Sequence, residues 1–402
     1  MSSTVRLKKD RDKRIRSGHL WVFSNEIADS LKRYEAGGIV DVFSYKGEFL
    51  ARGYINPSSL ITIRILTYER EEINTEFFYN RITKAWSYRK KIYPDINSCR
   101  IVFGESDFLP GLVIDKYEDY LAVQTLSLGM DKRLDTVLDV LEDIFHPAGI
   151  IERNDVAVRK LEGIEEKRGI LRGNLPSLPL LNKDGKGGVV ISEGGLKFEV
   201  DILKGQKTGF FFDQRDNRQG IKKYIRKGMR VLDCFCYSGA WSMYAAEGGA
   251  GEVIGIDSSK DAVKWAMGNA EINRFSDICR FKNGDVFYEL RRLVSSGEEF
   301  DMIILDPPAF VKSSARVKEG LKGYKEINLQ AMKLLKDDGM LITCSCSYHI
   351  DRVTFRDILI QSASDSQQDF RIIEFRGQSL DHPVLLSMSE TEYLRCAFLQ
   401  RM

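Results

Sequence analysis

Strand-like and helix-like segments alternate along the carboxyl-terminal part of the chain, and this alternation constrains the fold more than any other feature. Parallel strands need a crossover connection, usually a helix, so the pattern predicts a doubly wound parallel sheet. The predicted strands are Val231–Phe235, Val253–Asp257, Cys279–Gly284, Phe300–Asp306 and Met340–Cys346, and predicted helices begin at Trp241 and cover Ser259–Asn273 and about Lys318–Lys336.

The composition is that of an ordinary folded protein, with 43% hydrophobic and 29% charged residues and a net charge of +2. Its 402 residues exceed what one hydrophobic core usually serves, so two or three domains are expected. The seven cysteines are scattered and odd in number, which argues against a secreted disulfide framework and predicts a reducing cytoplasm. Neither export nor a membrane span is expected, because the start is polar and no long apolar run occurs.

Two further regions precede the predicted α/β domain. Short β-type runs with turns between them predict a small β-barrel over residues 1–70, and a mixed helix and strand pattern predicts a central α+β domain over 71–187. The third domain then covers 188–402. Its predicted linker is Asn182–Gly188, a segment made only of Asn, Lys, Asp and Gly.

The first region combines basic and aromatic residues. Seven basic residues against two acidic ones lie between Arg6 and Arg16, and the segment 19–23 contains His19, Trp21 and Phe23. This combination suits RNA, since phosphates attract Lys and Arg while unstacked bases lie against aromatic rings. The alternative is a solvated charged arm next to a core tryptophan.

Acidic residues end successive predicted strands of the α/β domain. The first turn, from Asp233 to Gly239, is where such a sheet approaches a nucleotide most closely, and Asp257 follows at close to the roughly 20-residue spacing of a ribose-binding carboxylate. Asp285 follows the third strand and is placed to bind an adenine edge, although each acid alone also fits a helix cap or turn. The turn lacks the glycines of a dinucleotide fingerprint, which favours a cofactor without pyrophosphate, such as S-adenosylmethionine.

Two further strand ends carry the predicted chemistry. Asp306 is followed by two prolines that stiffen an extended turn, against which a flat base could rest together with Phe310. This turn alone fits methylation of an exocyclic amine equally well. Cys346 adds a thiol, which can attack carbon 6 of cytosine and make carbon 5 nucleophilic, with Asp306 hydrogen-bonding N3.

Other uses of the cysteines stay open. Cys346 could be a buried strand residue, and Cys344 would share its face of the strand. Metal binding would use Cys234, Cys236, Cys344 and Cys346, but their spacing is unlike that of zinc fingers.

Three motifs occur in order: Lys207-Thr208-Gly209 to Asp213-Gln214-Arg215, Asp306-Pro307-Pro308-Ala309-Phe310, and Cys344-Ser345-Cys346-Ser347. With them, and over nearly its whole length, the chain resembles the ribosomal RNA large-subunit methyltransferase I family. The resemblance implies an N-terminal PUA-like RNA-binding β-barrel, a central α+β domain and a C-terminal Rossmann-like domain that forms 5-methylcytosine in large-subunit rRNA. It also implies a cytoplasmic homodimer.

The same resemblance implies residue roles. Thr208, Gln214 and Arg215 would hold S-adenosylmethionine together with Asp257, Asp285 and Asp306, and Cys346 would be the nucleophile. Many RNA cytosine methyltransferases have a second cysteine where this chain has Ala309, so no residue is identified for removal of the carbon-5 proton. Methylation of an exocyclic amine in RNA and a non-catalytic role in RNA binding or ribosome assembly stay as alternative functions.

Overall fold

The structure is a computed structural model, and it describes residues 3–175, 187–311 and 316–402. It divides into two compact units. The first contains Met1–Ile191, Val200–Phe212 and Leu380–Thr391, and the second contains Ser192–Glu199, Asp213–Ser379 and Glu392–Met402. The predicted linker at 182–188 lies outside the described residues except for its last two positions.

The amino-terminal part of the first unit, for which the sequence predicted a small β-barrel, is a curved five-stranded sheet. Its strands lie in the order β1-β3-β4-β5-β2, with β1 parallel to β3 and the other pairs antiparallel. Register shifts in all three antiparallel pairs bend the strands around a core that includes Val5, Val42 and Ile65. The elements are β1 (Ser3–Arg6), α1 (Lys13–Arg16), β2 (Trp21–Phe23), β3 (Ile39–Phe43), β4 (Phe49–Ile55) and β5 (Ile61–Thr67).

A second five-stranded sheet follows in the same unit, in the order β10-β9-β8-β7-β6. The pair β8 and β9 is parallel and is connected through α4, whose Leu138 and Leu141 are buried with Phe78 and Ile82 of α2. The elements are α2 (Thr75–Ile92), β6 (Ser98–Phe103), β7 (Leu112–Tyr117), β8 (Tyr120–Thr125), α3 (Leu128–Asp131), α4 (Leu134–Phe145), β9 (Gly149–Asn154) and β10 (Lys167–Gly173).

The second unit contains a seven-stranded sheet in the order β15-β14-β13-β16-β17-β19-β18. The first five strands are parallel, and β19 is antiparallel to both β17 and β18. The predicted doubly wound sheet is therefore confirmed, with two added antiparallel strands at one edge. The strands are β13 (Arg230–Cys234), β14 (Glu252–Asp257), β15 (Cys279–Asn283), β16 (Phe300–Leu305), β17 (Leu335–Ser345), β18 (Phe370–Arg376) and β19 (Arg395–Arg401).

Helices connect these strands, and their apolar sides form one core with the sheet that includes Leu232, Ile303 and Tyr324. Three begin at side chains of the types that cap helices: Ser259 accepts from Ala262 N, Asp285 from Tyr288 N and Asp351 from Thr354 N. The helices are α5 (Arg215–Gly220), α6 (Ala240–Glu247), α7 (Lys260–Ile272), α8 (Val286–Ser295), α9 (Val317–Lys333) and α10 (Arg352–Ser366). A hairpin, β11 (Gly188–Glu193) and β12 (Leu196–Asp201), precedes them and is divided between the two units.

Candidate active site

The switch point of the seven-stranded sheet lies at β13, which has β14 on one side and β16 on the other. In open α/β sheets, ligands bind outside the carboxyl ends of the strands at this point. Asp233 lies in β13, Asp257 ends β14, and Asp306 follows β16 directly. The parallel register thus brings three of the predicted carboxylates to one edge of the sheet.

Asp233 is fully buried at this edge. Its Oδ2 accepts hydrogen bonds from the backbone N and the hydroxyl of Ser242, at 3.1 and 2.6 Å, whereas its Oδ1 has no partner among the described atoms. Burial, with added repulsion from Asp306 and Asp257, raises the pKa of Asp233 to about 7. A cationic group beside Oδ1 would therefore both satisfy this oxygen and favour its ionised form.

The turn after β13 has an unusual backbone. Phe235, Tyr237 and Gly239 have φ values of 62°, 47° and 75°, and left-handed non-glycine residues cost of the order of 1 kcal/mol or more each. The turn is held by hydrogen bonds from Cys236 N to Ile256 O and from Tyr237 N to Asp257 Oδ2, at 3.1 and 2.9 Å. At Gly239 a Cβ would lie 3.0 Å from Ala266 Cβ, so glycine keeps helix α7 close to the turn.

Asp257 and Asp285 have different surroundings. Asp257 accepts from Tyr237 N through Oδ2 and from Ser259 N through Oδ1, both at 2.9 Å, which fixes the carboxylate at the end of β14. Asp285 is exposed and caps α8 by accepting from Tyr288 N at 2.9 Å. The cap is the alternative that the sequence left open for this residue, and its predicted role at an adenine edge stays a prediction.

Asp306 is held by two side chains. The amide of Gln214 donates to Oδ1 and the indole N–H of Trp241 donates to Oδ2, each at 2.9 Å. Gln214 is oriented in turn by Asn217, whose amide donates to its Oε1 at 2.7 Å. The structure thus brings together the predicted pair Gln214 and Asp306.

Sequence reasoning missed Trp241 and Asn217. Trp241 is in the first turn of α6, directly after the cofactor-binding turn, and helix residues at that position face the crevice. That placement is the signal by which Trp241 could have been found. Asn217 follows Gln214 by one helical turn, a spacing that predicts contact but not its purpose.

The thiol of Cys346 lies one residue beyond the end of β17, where the chain leaves the sheet. It is half-buried, and its Sγ donates to the carbonyl oxygen of Pro307 at 3.8 Å, next to Asp306. Cys344 is only 1% exposed and is paired in register with Cys396 of β19, and burial raises the pKa of its thiol well above the usual value. Of the two cysteines, Cys346 is therefore the one that is partly exposed.

Tyr324 of α9 contacts the segment that follows Cys346 and lies close to the segment that follows Asp306. Its hydroxyl is 2.9 Å from Ser347 Oγ, which also accepts from Val311 N at 3.3 Å. Burial, with the nearby Cys346, raises the pKa of Tyr324 to about 12, so the hydroxyl is protonated at neutral pH. The ring centroid of Tyr324 is 4.7 Å from that of Phe310, whose half-buried ring is thus part of an aromatic cluster.

Arg215 and Thr208 make buried contacts within their own units. In the second unit Arg215 Nε lies 3.0 Å from Glu193 Oε2, and Arg218 pairs with the other oxygen of the same carboxylate. In the first unit the Thr208 hydroxyl donates to Asp115 and is 2.9 Å from the hydroxyl of Tyr117. The cofactor-binding roles that the resemblance implies for Arg215 and Thr208 stay predictions.

The site matches the chemistry of S-adenosylmethionine, which carries a positive sulfonium, an ammonium group and a ribose. Asp233 offers an unpartnered buried oxygen for a cation, and Ser238 Oγ in the same turn is also buried without a described partner. Asp257 is fixed where a ribose hydroxyl is expected. Within residues 3–175, 187–311 and 316–402, no group of three or more His, Cys, Asp or Glu residues is arranged to hold a metal ion.

Family models agree with this geometry. A model of the PUA-like domain matches residues 5–68, and a model of S-adenosylmethionine-dependent methyltransferases matches residues 181–378. Fold, site and matches together define an S-adenosylmethionine-dependent methyltransferase with an N-terminal PUA-like domain. In the part of the chain that the structure describes, no helix has the length and apolar character needed to cross a membrane.

Curated relatives narrow the assignment. Proteins named ribosomal RNA large subunit methyltransferase I are 41% identical over 401 residues in Vibrio cholerae and 40% identical over 399 residues in Tolumonas auensis, covering 98% of this chain and of each relative. The chain belongs to the ribosomal RNA large subunit methyltransferase I family.

Solved structures share the fold at lower sequence identity. A Streptococcus mutans protein assigned to the SAM-dependent methyltransferases aligns with a TM-score of 0.82 and 19% identity, covering 99% of this chain and all of that one. A methyltransferase-like protein named SMU.776, solved in complex with SAH, gives a TM-score of 0.83 at 19% identity and covers both chains fully. These two structures support the fold.

Proposed function

We propose that the chain methylates carbon 5 of a cytosine in large-subunit rRNA and that Cys346 is the nucleophile. The rRNA substrate is supported by the names of relatives about 40% identical over the full length. The cytosine chemistry is supported by one observation above all: the accessible Cys346 thiol lies against Pro307, adjoining the fixed carboxylate of Asp306.

The nucleophile is needed because carbon 5 of cytosine is itself poorly nucleophilic. The Cys346 thiol loses its proton, and the thiolate forms a bond to carbon 6. The electron pair of the 5,6 double bond moves toward N3, and N3 takes up a proton in exchange for the one that the thiol lost, so the adduct is neutral. Asp306 accepts a hydrogen bond from the resulting N3–H, since its orientation is fixed by Gln214 and Trp241. The adduct is an enamine whose carbon 5 is nucleophilic.

When bound, S-adenosylmethionine supplies an electrophilic methyl group to carbon 5. Loss of the carbon-5 proton then re-forms the double bond as the Sγ–C6 bond breaks and releases Cys346 as a thiolate. N3 gives up the proton that it gained, and the thiolate takes up a proton, so the net change is a methyl group in place of the carbon-5 hydrogen. Ala309 has no proton-accepting side chain, so the acceptor is a different group. The cytosine must be unpaired or flipped out of its stack, because a stacked ring hides the face that the thiol attacks.

Nucleoside mass spectrometry tests this proposal. Undermethylated large-subunit rRNA is incubated with S-adenosylmethionine and the wild type, Cys346→Ala or Cys344→Ala. We expect 5-methylcytidine with the wild type, none with Cys346→Ala, and retained product with Cys344→Ala, whose thiol is buried in the sheet. Full activity of Cys346→Ala would exclude the thiol mechanism.

The identity of the product separates the alternatives. An N-methylated base would favour transfer to an exocyclic amine, which the Asp306-Pro307-Pro308 turn can serve without a thiol. Binding of rRNA without any methylated product would favour the non-catalytic role in ribosome assembly. Either result would leave the family assignment intact.

We also propose an oligomeric state, a cellular location and domain bounds for the chain. The family resemblance supports a homodimer in the cytoplasm and domains at 1–70, 71–187 and 188–402. Light scattering of the purified chain measures the oligomeric state directly, since a dimer has twice the 45.9 kDa chain mass.

A further inference from the structure

The first unit contains a cavity of about 120 Å³ beside the amino-terminal sheet. Its apolar walls include the rings of Trp21 and Phe103 and the side chains of Val113 and Leu126. Two carboxylates, from Glu105 and Glu390, line the same cavity. Flat apolar walls combined with a few fixed polar groups are typical of small-ligand sites.

The carboxylates are oriented by their neighbours. Glu105 Oε1 accepts the indole N–H of Trp21 at 2.9 Å, and among the described residues no donor contacts its other oxygen. Glu390 Oε1 lies 3.3 Å from His19 Nε2. Because His19 Nδ1 accepts from Trp21 N at 3.1 Å, the ring hydrogen is on Nε2, and His19 donates to Glu390. The cavity therefore presents acceptors to whatever enters it.

Positive charge lies next to the cavity. Arg14 and Lys13 of α1 are exposed, and the Arg14 guanidinium is 4.8 Å from the centroid of the Phe23 ring. The Phe23 ring is in turn edge-on to Trp21, with centroids 6.5 Å apart. A row of two aromatic rings thus connects an exposed cation with the cavity wall, and this arrangement suits a ligand that has both a flat base and a phosphate.

We propose that this cavity binds an unpaired nucleobase of the RNA substrate, and that the base carries an exocyclic amine. The inference rests on the proposed RNA substrate and adds a base-selective contact remote in sequence from the catalytic motifs. The amine of adenine, cytosine or guanine donates to the carboxylates, whereas uracil presents a carbonyl oxygen at the equivalent edge and is repelled. The rings of Trp21 and Phe103 provide the apolar surface for the base, and the cations of α1 contact its phosphates.

The test is a change of base preference in one variant. Binding of short oligoadenylate and oligouridylate to the full chain is measured by fluorescence anisotropy at one salt concentration. Glu105→Gln keeps an oxygen for the Trp21 indole but replaces the other oxygen with an amide donor, which suits the carbonyl of uracil. We expect the preference for adenine over uracil to fall about fivefold relative to the wild type, the lower end of the range for one base-edge contact.

The control variant loses the same single negative charge as Glu105→Gln, but at a position outside the cavity. Glu76→Gln removes one carboxylate at the exposed start of α2, outside the cavity lining, and should leave the preference at the wild-type value. If Glu105→Gln does not fold, Leu126→Phe fills the cavity instead and should weaken binding of both oligonucleotides. Wild-type preference in Glu105→Gln, or wild-type affinity in Leu126→Phe, would overturn the proposal.

Methylation of rRNA by the wild type separates a failure of the nucleobase pocket from a failure of the proposed function. If the wild type methylates rRNA while the cavity variants bind as the wild type does, only the nucleobase pocket is wrong. If the wild type neither binds nor methylates RNA, the proposed function fails as well. If the variants shift the preference and rRNA is methylated, both stand.

Discussion

The indole N–H of Trp241 donates to Asp306 Oδ2 at 2.9 Å, on the opposite side of the carboxylate from the amide of Gln214. The two residues come from different elements, α6 and the segment before α5. Because each oxygen already accepts one hydrogen bond, the carboxylate is fixed in rotation and remains an acceptor. A base placed next to Asp306 would meet one defined orientation of its oxygens.

We predict that Trp241→Phe slows methyl transfer about tenfold, because a hydrogen bond to a charged group is worth roughly 1.5–3 kcal/mol and here it orients the carboxylate. The benzene ring retains most of the packing. Single-turnover transfer of labelled methyl to rRNA measures the rate. Trp86→Phe, on α2 of the first unit, is the matched control and should keep the wild-type rate. Equal rates for Trp241→Phe and the wild type would show that the hydrogen bond is only structural.

We predict that the affinity for S-adenosylmethionine depends on pH through Asp233. Its pKa is raised to about 7, mainly by burial, so the carboxyl is largely protonated below that pH and ionised above it. A cationic cofactor favours the ionised form, and its binding should therefore release a proton between about pH 5 and 7. Calorimetry in two buffers with different ionisation enthalpies counts that proton. Asp233→Asn should bind weakly and release none.

Asp233 also makes the folding stability depend on pH, and here the stability decreases as the pH rises. The folded protein holds the Asp233 proton up to about pH 7, whereas the unfolded chain releases it near the usual aspartate pKa of 3.8. The contribution of Asp233 to stability is thus present below about pH 4 and is lost as the pH rises to 7. Relative to Asp233→Asn, we expect the unfolding free energy of the wild type to decline over this window. A parallel pH dependence in both proteins, measured by urea unfolding, would contradict the raised pKa.

The sequence predicted the parts of this molecule that follow from periodicity. Parallel strands align their carboxyl ends, so Asp233, Asp257 and Asp306 could be placed together once the strands were recognised. Contacts that depend on packing could not be predicted in this way. Trp241 reaches Asp306 only because α6 starts after a turn with left-handed residues, and no local pattern reports that geometry.

Thr208 and Arg215 illustrate another limit. Both lie in the segment 207–215 on which the family resemblance partly rests. Their side chains nevertheless contact Asp115 and Glu193, which are 93 and 22 residues away along the chain. A motif shows that residues belong together, but it does not separate those that hold a ligand from those that hold the fold.

Tyr324→Phe should separate positioning from packing at the nucleophile. The change removes only the hydroxyl that meets Ser347 Oγ at 2.9 Å, and the ring against Phe310 is kept. We expect a loss of about 1 kcal/mol in unfolding free energy and a lower rate of methyl transfer at unchanged affinity for S-adenosylmethionine. Because the pKa of Tyr324 is about 12, the effect should be constant from pH 6 to 9.

The control for this variant is Tyr224→Phe, which removes a hydroxyl that bonds to Glu374 in the same unit. It should cost similar stability and leave the rate of methyl transfer unchanged. If both variants slow the reaction equally, the hydroxyl of Tyr324 has no specific part in positioning Cys346.

Thr208→Val should lower stability through the buried network of the first unit. Thr208 donates to Asp115, which also pairs with Arg100 through both oxygens at 2.6 and 2.8 Å, and Tyr117 lies 2.9 Å from the same hydroxyl. Valine has the same shape but cannot hydrogen-bond, so two buried polar groups lose a partner, at a cost of about 1–3 kcal/mol. Thr208→Ser keeps the hydroxyl and should retain most of the stability. Urea unfolding measures this difference.

Calorimetry with S-adenosylmethionine on the same two variants tests the cofactor role of Thr208. Weaker binding by Thr208→Val, at a temperature where this variant is fully folded, would support that role. Unchanged binding would assign Thr208 to the fold alone.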